Sequence, residues 1–219
     1  MPRADPQTIA VIDFETTGIS PGQGARATEI AAVLVRDGHI VDRYASLMHS
    51  GAWVSPFIEQ LTGISNAMLQ DAPPAAQVMR EVCRFTRGLP LVAHNAAFDR
   101  GFWRAEARLA GLDEDPAHEF ACTVLLSRRL YPQAANHRLG TLAALHRLPS
   151  AGRAHRALAD AEVTAHLLLQ IQHDVSKRFG EELRTQEADH GLLMALQRGD
   201  PRALQRCVAR YGRAEAAAP

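Results

Sequence analysis

The chain has 219 residues, 47% of them hydrophobic and 22% charged, with 24 basic side chains balanced by 24 acidic ones. That length holds one substantial domain with its own core, and no apolar run approaches the roughly 18 residues of a membrane span. Zero net charge argues against a protein that coats nucleic acid by neutralising phosphates, but not against one that grips a few nucleotides locally. The N-terminal MPRADPQTIAV lacks the apolar stretch of a secretory signal, and Cys83, Cys122 and Cys207 show no CxxC spacing. A cytoplasmic protein with core thiols and no membrane partner is expected.

In chain order, Ile9 to Glu15 reads as a strand, followed by a Gly- and Pro-containing loop and a second strand from Glu29 to Val35. Asp37-Gly38 signals a tight turn into a third strand, Ile40 to Met48, so the chain opens on an antiparallel meander and not a βαβ crossover. Val78, Val82 and Phe85 then recur at near-helical spacing, Gly88 stops the helix, and Leu89 to Ala93 is a short apolar strand. A helix over Ala96 to Ala110, a strand near Phe120 to Thr123, a helix through Leu130, another around Leu139 to Arg147 and a long one from Ala157 to His173 complete an α/β pattern. Five strands, three antiparallel and two reached through helices, predict a mixed sheet flanked by helices. From Ser176 the composition turns polar, and Leu204, Cys207, Val208 and Tyr211 then fall on one helix face. Residues 1–175 are expected to form the main domain and residues 176–219 a helical C-terminal extension with a disordered end.

Three acidic sites interrupt this pattern. In VIDFETTG, Asp13 and Glu15 are two apart on a strand and project to the same face, while Ile12 and Phe14 face the other way. Converging carboxylates raise each other's pKa unless a cation joins them. The simpler alternative ends the strand at Ile12 and leaves both acids solvated. LVAHNAAFD again runs an apolar strand into a polar turn, with Asp99 in the first helical turn, where it either complements the helix dipole or joins the other acids. In HRALAD, five helical positions rotate a side chain by roughly 500°, so His155 and Asp160 share no helix face, and His155 is placed on the loop before the helix.

Taken together, VIDFETTG, LVAHNAAFD and HRALADA resemble the three motifs of the DEDDh 3′-5′ exonucleases, the DnaQ-like family that includes the proofreading epsilon subunit of bacterial DNA polymerase III. The resemblance covers roughly Ile9 to Gln172. It implies a ribonuclease H-like fold, metal-ligand roles for Asp13, Glu15, Asp99 and Asp160, and a general-base role for His155. The implied reaction is hydrolysis of phosphodiesters from the 3′ end of nucleic acid, releasing nucleoside 5′-monophosphates. DNA is favoured, in single-stranded or frayed form, over RNA or short oligonucleotides, and a catalytically silent binding subunit is a remoter alternative. Two divalent ions about 4 Å apart, Mg²⁺ or Mn²⁺ by their preference for oxygen ligands, balance the four carboxylates and stabilise attacking and leaving oxygens. Thr16, Thr17, Gly18, Thr62, Ile64, His94, Asn95, Phe98 and Phe102 are the matching substrate-pocket positions. Of the two phenylalanines, either stacks on bases or belongs to the core, and at least one core residue is expected. Arg100, Arg104 and Arg108 form a phosphate track or a solvated face paired to Glu106 and its neighbours. The extension shows no match to a polymerase-contacting tail; docking on the domain, pairing two copies and binding a polymerase or other partner all stay open.

Overall fold

In a computed structural model, residues 7–149, 152, 154–183 and 188–215 are described. Strands β1 (Ile9–Thr16), β2 (Ala27–Arg36) and β3 (His39–Leu47) form the antiparallel meander. The β2–β3 turn uses positive φ at both Asp37 and Gly38, the twist-compatible geometry of a two-residue hairpin. Helices α1 (Pro56–Thr62), α2 (Asn66–Gln70) and α3 (Ala75–Phe85) follow, then β4 (Leu91–Ala93), α4 (Ala96–Leu109) and β5 (Phe120–Cys122). The chain closes with α5 (Thr123–Leu130), α6 (Leu139–His146), α7 (Ala157–Leu183), α8 (His190–Arg198) and α9 (Leu204–Glu215). The sheet order is β3-β2-β1-β4-β5, with β4 parallel to β1 and β5 parallel to β4. This is the mixed five-stranded sheet the strand pattern implies.

Alternation along β1 builds two cores. Ile9 and Val11 join Ala31 and Val33 of β2 against Leu167, Leu168 and Ile171 of α7, while Ala10, Ile12 and Phe14 pack against Val78, Met79, Phe102 and Trp103 of α3 and α4. The period of two thus decides which helical layer each side chain meets. Asp13 and Glu15 continue the row that faces α7.

Two segments differ from the expectations. The stretch around LTGISNAML, to which the sequence pattern assigns no helix, holds α1 and α2, each capped by a serine: Ser55 accepts from Ile58 N and Ser65 from Met68 N. Gly63, at φ 74°, ends α1 in the left-handed conformation that glycine adopts without strain. The long helix runs ten residues beyond His173, because Val175, Phe179 and Leu183 recur every fourth position and are all buried. It therefore crosses position 175, and its local geometry breaks at Phe179 (φ −128°). After it, α8 and α9 bury Leu192, Leu193, Leu196, Leu204 and Val208 in the α7-side core. Gln197 also accepts from the amide of Cys122 at 2.7 Å, so α8 covers the open side of edge strand β5. Of the expected disordered end, RAEAAAP from Arg213, residues 213–215 belong to α9 and residues 216–219 lie outside the described residues. Among the described residues no helix is long and apolar enough to cross a membrane.

Candidate active site

The site begins where the sheet opens. Strand β1 pairs with β4 only at Ala10–Leu91 and Val11–Val92. Farther along, the amide of Phe14 donates across to Asp99 Oδ1 of α4 at 3.2 Å. Asp99, 2% exposed, is thus fastened to the backbone between Asp13 and Glu15. On the other side of β1 the register shifts between Glu15 and Thr16, a bulge that bends the strand end as such irregularities do beside functional sites.

The third acid arrives from α7. Asp160 lies in its first turn and accepts from the His155 amide at 3.1 Å, which ties the preceding loop to the helix. His155 is exposed and holds a positive φ of 61°, a conformation that costs a non-glycine residue about 1–3 kcal/mol and persists only where its surroundings enforce it. One ligand atom from each of Glu15, His155 and Asp160 lies within 4.8 Å of the other two. The loop placement inferred from the 500° rotation is the one observed.

The electrostatics are those of a cation site. Burial and the carboxylates of Asp99, Glu15, Asp160 and Glu29 all push Asp13 well above the usual carboxylate range. Burial, with Asp160 and Glu29, lifts Glu15 to about 8 against a lowering pull from Arg156. Burial lifts Asp99 to about 8 despite the hydrogen bonds from its own amide and that of Phe14, and it raises Asp160 as well. Each charge acting on Asp13 opposes its ionisation, so the donor set fits hard divalent cations, which favour the ionised form of all four acids.

Two buried glutamates that sequence reasoning missed fix this geometry. Glu29, the cross-strand partner of Glu15, accepts from Arg156 Nε at 3.0 Å and Nη2 at 2.7 Å, and from the Ala157 amide at 2.9 Å. It holds the first residue of α7 against β2, and with it Asp160 and His155. Glu106 does the same for α4: it accepts from Arg26 Nε (2.8 Å), Arg26 Nη2 (2.9 Å) and the Ala27 amide (3.0 Å). That corrects the expected pairing of Glu106 with the helix arginines. Arg100, Arg104 and Arg108 are exposed, and Arg104 lies 3.5 Å from Glu114.

The expected substrate positions divide by burial. Thr17 and Gly18 are half-buried beside the carboxylates; Thr17 Oγ1 accepts from the Arg26 amide, and Thr16 Oγ1 donates to Gly18 O at 2.7 Å. Asn95 is exposed in the left-handed region (φ 65°), and Phe98 is half-buried. His94 bonds Thr123 Oγ1 at 2.9 Å, and burial depresses its pKa to about 4, so it is neutral. Phe102 and Ile64 are fully buried and Thr62 is 1% exposed. They have no surface to offer a nucleotide: Phe102 supports Phe98 and Phe14 from beneath, at centroid distances of 4.9 and 6.3 Å, and Thr62 holds the α1 turn by donating to Ile58 O and accepting from Ile64 N. A hollow of about 320 Å³ between α3, α4 and β5, lined by Arg80, Cys83, Trp103 and His118 among others, contains none of these residues.

Comparison with known proteins places this architecture. The Exonuclease family profile matches residues 10–168. The 3′-5′ exonuclease DinG of Bacillus subtilis is 40% identical over 75% of this chain, and the PolC-type DNA polymerase III of the same organism is 37% identical over 78%. This chain spans only 18% and 12% of those two proteins. Among solved structures, exonuclease X in complex with 5′-overhanging duplex DNA superposes with a TM-score of 0.61 at 33% identity, over 75% of this chain and 91% of that one. The nuclease domain of 3′hExo, a DEDDh family member bound to rAMP, superposes with a TM-score of 0.67 at 20% identity, over 79% and 95%. The fold is thus the ribonuclease H-like one of these nucleases. The chain belongs to the Exonuclease family.

Proposed function

We propose that this protein is a metal-dependent 3′-5′ exonuclease that hydrolyses phosphodiester bonds from the 3′ end of nucleic acid, DNA in preference to RNA, and releases nucleoside 5′-monophosphates. The observation that carries this reading is the convergence of Glu15, Asp160 and His155 within 4.8 Å, beside an Asp13 whose ionisation every neighbouring charge opposes. Asp13, Glu15, Asp99 and Asp160 hold the divalent ions. When bound, such ions neutralise charge on the phosphoryl group and make water a better nucleophile. His155, on the solvent side of Glu15 and Asp160, accepts the proton from the attacking water through an imidazole nitrogen. Thr17, Gly18 and Asn95 offer polar groups at the rim where a terminal nucleotide sits. Exonuclease X, 33% identical, carries DNA in its complex, which supports the choice of DNA. The PolC-type relatives contain their matching segment within a polymerase chain; association of this protein with a polymerase is the corresponding proposal, tested by co-purification.

The test compares end-labelled single-stranded DNA, mismatched-primer duplex and RNA in Mg²⁺ or Mn²⁺, for the wild type and Asp13→Ala. A ladder shortening from the 3′ end with nucleoside 5′-monophosphate as product, absent in the variant and in chelator, is expected. Degradation from the 5′ end, internal cutting alone, or activity that resists chelation overturns the reading.

A further inference from the structure

Nine large apolar side chains are exposed among the described residues, and four of them, Trp53, Phe57, Leu61 and Met68, fall within one segment of sixteen positions. Its two aromatics are the most open of the four, at 68% and 71% exposure. Phe57 and Leu61 are one helical turn apart on α1 and share a face. The inward side of α1 is spoken for: Ile58 and Leu47 pack against the buried cluster of Val54, Ile64 and Leu69. The outward stripe is therefore not a core that failed to close.

The segment that carries this stripe is tied to the carboxylate end of the sheet. Leu47 pairs with Glu29, which pairs with Glu15, in one row across three strands. After β3, the chain is held at Ser50, whose carbonyl accepts from Arg26 Nη1 at 3.1 Å, while the Arg26 amide donates to Thr17 Oγ1 and the Arg26 carbonyl accepts from the Thr17 amide. Trp53 follows three residues later. Between positions 48 and 71 there is no lysine or arginine, and Glu59 and Asp71 are acidic. A surface of this kind does not bind a phosphate backbone. It offers ring faces, and the complementary faces on a nucleic acid are those of unpaired bases.

We propose that Trp53 and Phe57 form a stacking platform for the bases of a single-stranded segment leading into the active site, so that this enzyme selects unpaired 3′ ends. The proposal rests on the exonuclease reading above and names its substrate class. Duplex DNA stacks its base faces on one another and leaves them nothing to engage. Because affinity comes from stacking and not from counterion release, the platform's contribution is independent of salt.

The decisive comparison uses a single-stranded oligothymidylate and the p-nitrophenyl ester of thymidine 5′-monophosphate, a substrate with no upstream nucleotide. In Trp53→Ala/Phe57→Ala, KM for the oligonucleotide rises about 5- to 100-fold, by the same factor at low and high salt. Hydrolysis of the ester is unchanged, and Trp53→Phe restores most of the loss. An unchanged oligonucleotide KM overturns the proposal and leaves the stripe to a protein partner; an equal loss on both substrates overturns it in favour of a structural role. Fluorescence separates this from the exonuclease reading itself, since the chain has two tryptophans and Trp103 is buried. Emission quenched by oligothymidylate in wild type but not in Trp53→Phe supports the platform even if no hydrolysis is seen, and absence of quenching in both refutes it.

Discussion

At Asp13, burial and four neighbouring carboxylates act in the same direction, and this sets a stability cost that a cation removes. A carboxyl group whose pKa is higher in the folded than in the unfolded state binds protons more tightly when folded. Its contribution is fully favourable below the unfolded value and is lost as pH rises through the folded one. For Glu15 that window runs from 4.5 to about 8, and Asp99 also reaches about 8. In chelator, the melting temperature should therefore fall between pH 5 and pH 8, and Asp13→Asn should flatten that slope and melt higher than wild type at pH 8 while losing activity. Mg²⁺ or Mn²⁺ should reverse the fall in wild type. A melting temperature that climbs with pH in chelator contradicts the account. For His155, removal of the imidazole by His155→Ala should cost roughly 10²- to 10⁴-fold in turnover with divalent-ion affinity largely kept, as read by single-turnover kinetics beside a metal titration. Turnover equal to wild type removes His155 from the mechanism. These five positions were singled out because VIDFETTG, LVAHNAAFD and HRALADA occur together and in order, in resemblance to the DEDDh motifs; taken singly, each had a simpler structural reading. Glu29 and Glu106 were not, because their partners Arg156 and Arg26 lie 127 and 80 residues away and only folding brings the charges together.

Elements carry the site through those two glutamates. Glu29, 6% exposed in its side chain, ties the first turn of helix α7 to the sheet from strand β2. Removing one partner of a buried ion pair strands the other, at a cost of about 3–5 kcal/mol when both are buried. Arg156 keeps 37% of its side-chain surface in water, so screening reduces that to roughly 1–3 kcal/mol for Glu29→Gln. The variant should melt lower and lose turnover more steeply than substrate affinity, since Asp160 and His155 move with the helix end. A double-mutant cycle with Arg156→Ala should return a coupling of about 1 kcal/mol or more; additive losses would show that the two residues act separately. The strands and the larger helices were readable from periodicity to within one or two residues at most ends. The α1–α2 pair was not, although Ser55-Pro56, Gly63 and Ser65 are capping signals in the correct order. Helices of seven and five residues contain too few turns for periodicity to separate them from a loop.

For the whole molecule, the question is whether the last two helices belong to the catalytic body. Composition suggested a break near residue 176, because polar residues dominate the chain beyond that point. The buried positions are sparse there but regularly placed. Leu192, Leu193 and Leu196 are fully buried, Leu204 and Val208 nearly or fully so, and at about 1.5–3 kcal/mol each they contribute on the order of 10 kcal/mol as an upper estimate. That is comparable to the whole stability of an ordinary domain, about 5–15 kcal/mol. A chain ending at Leu183 should therefore be insoluble or unfolded, with the amides of β5 uncovered and α7 stripped along one side. A milder variant keeps the test quantitative. A Cβ added at Gly212 of α9 would lie 2.8 Å from the carbonyl oxygen of Glu182 in α7, a backbone contact that only separation of the helices can relieve. Gly212→Ala should thus lower the urea midpoint by an amount equivalent to about 1–3 kcal/mol, in a single transition shared by far-ultraviolet circular dichroism and catalytic activity. If activity instead survives past a separate, earlier loss of helix signal, α8 and α9 unfold on their own, and the carboxylate site stands on a body that ends with α7.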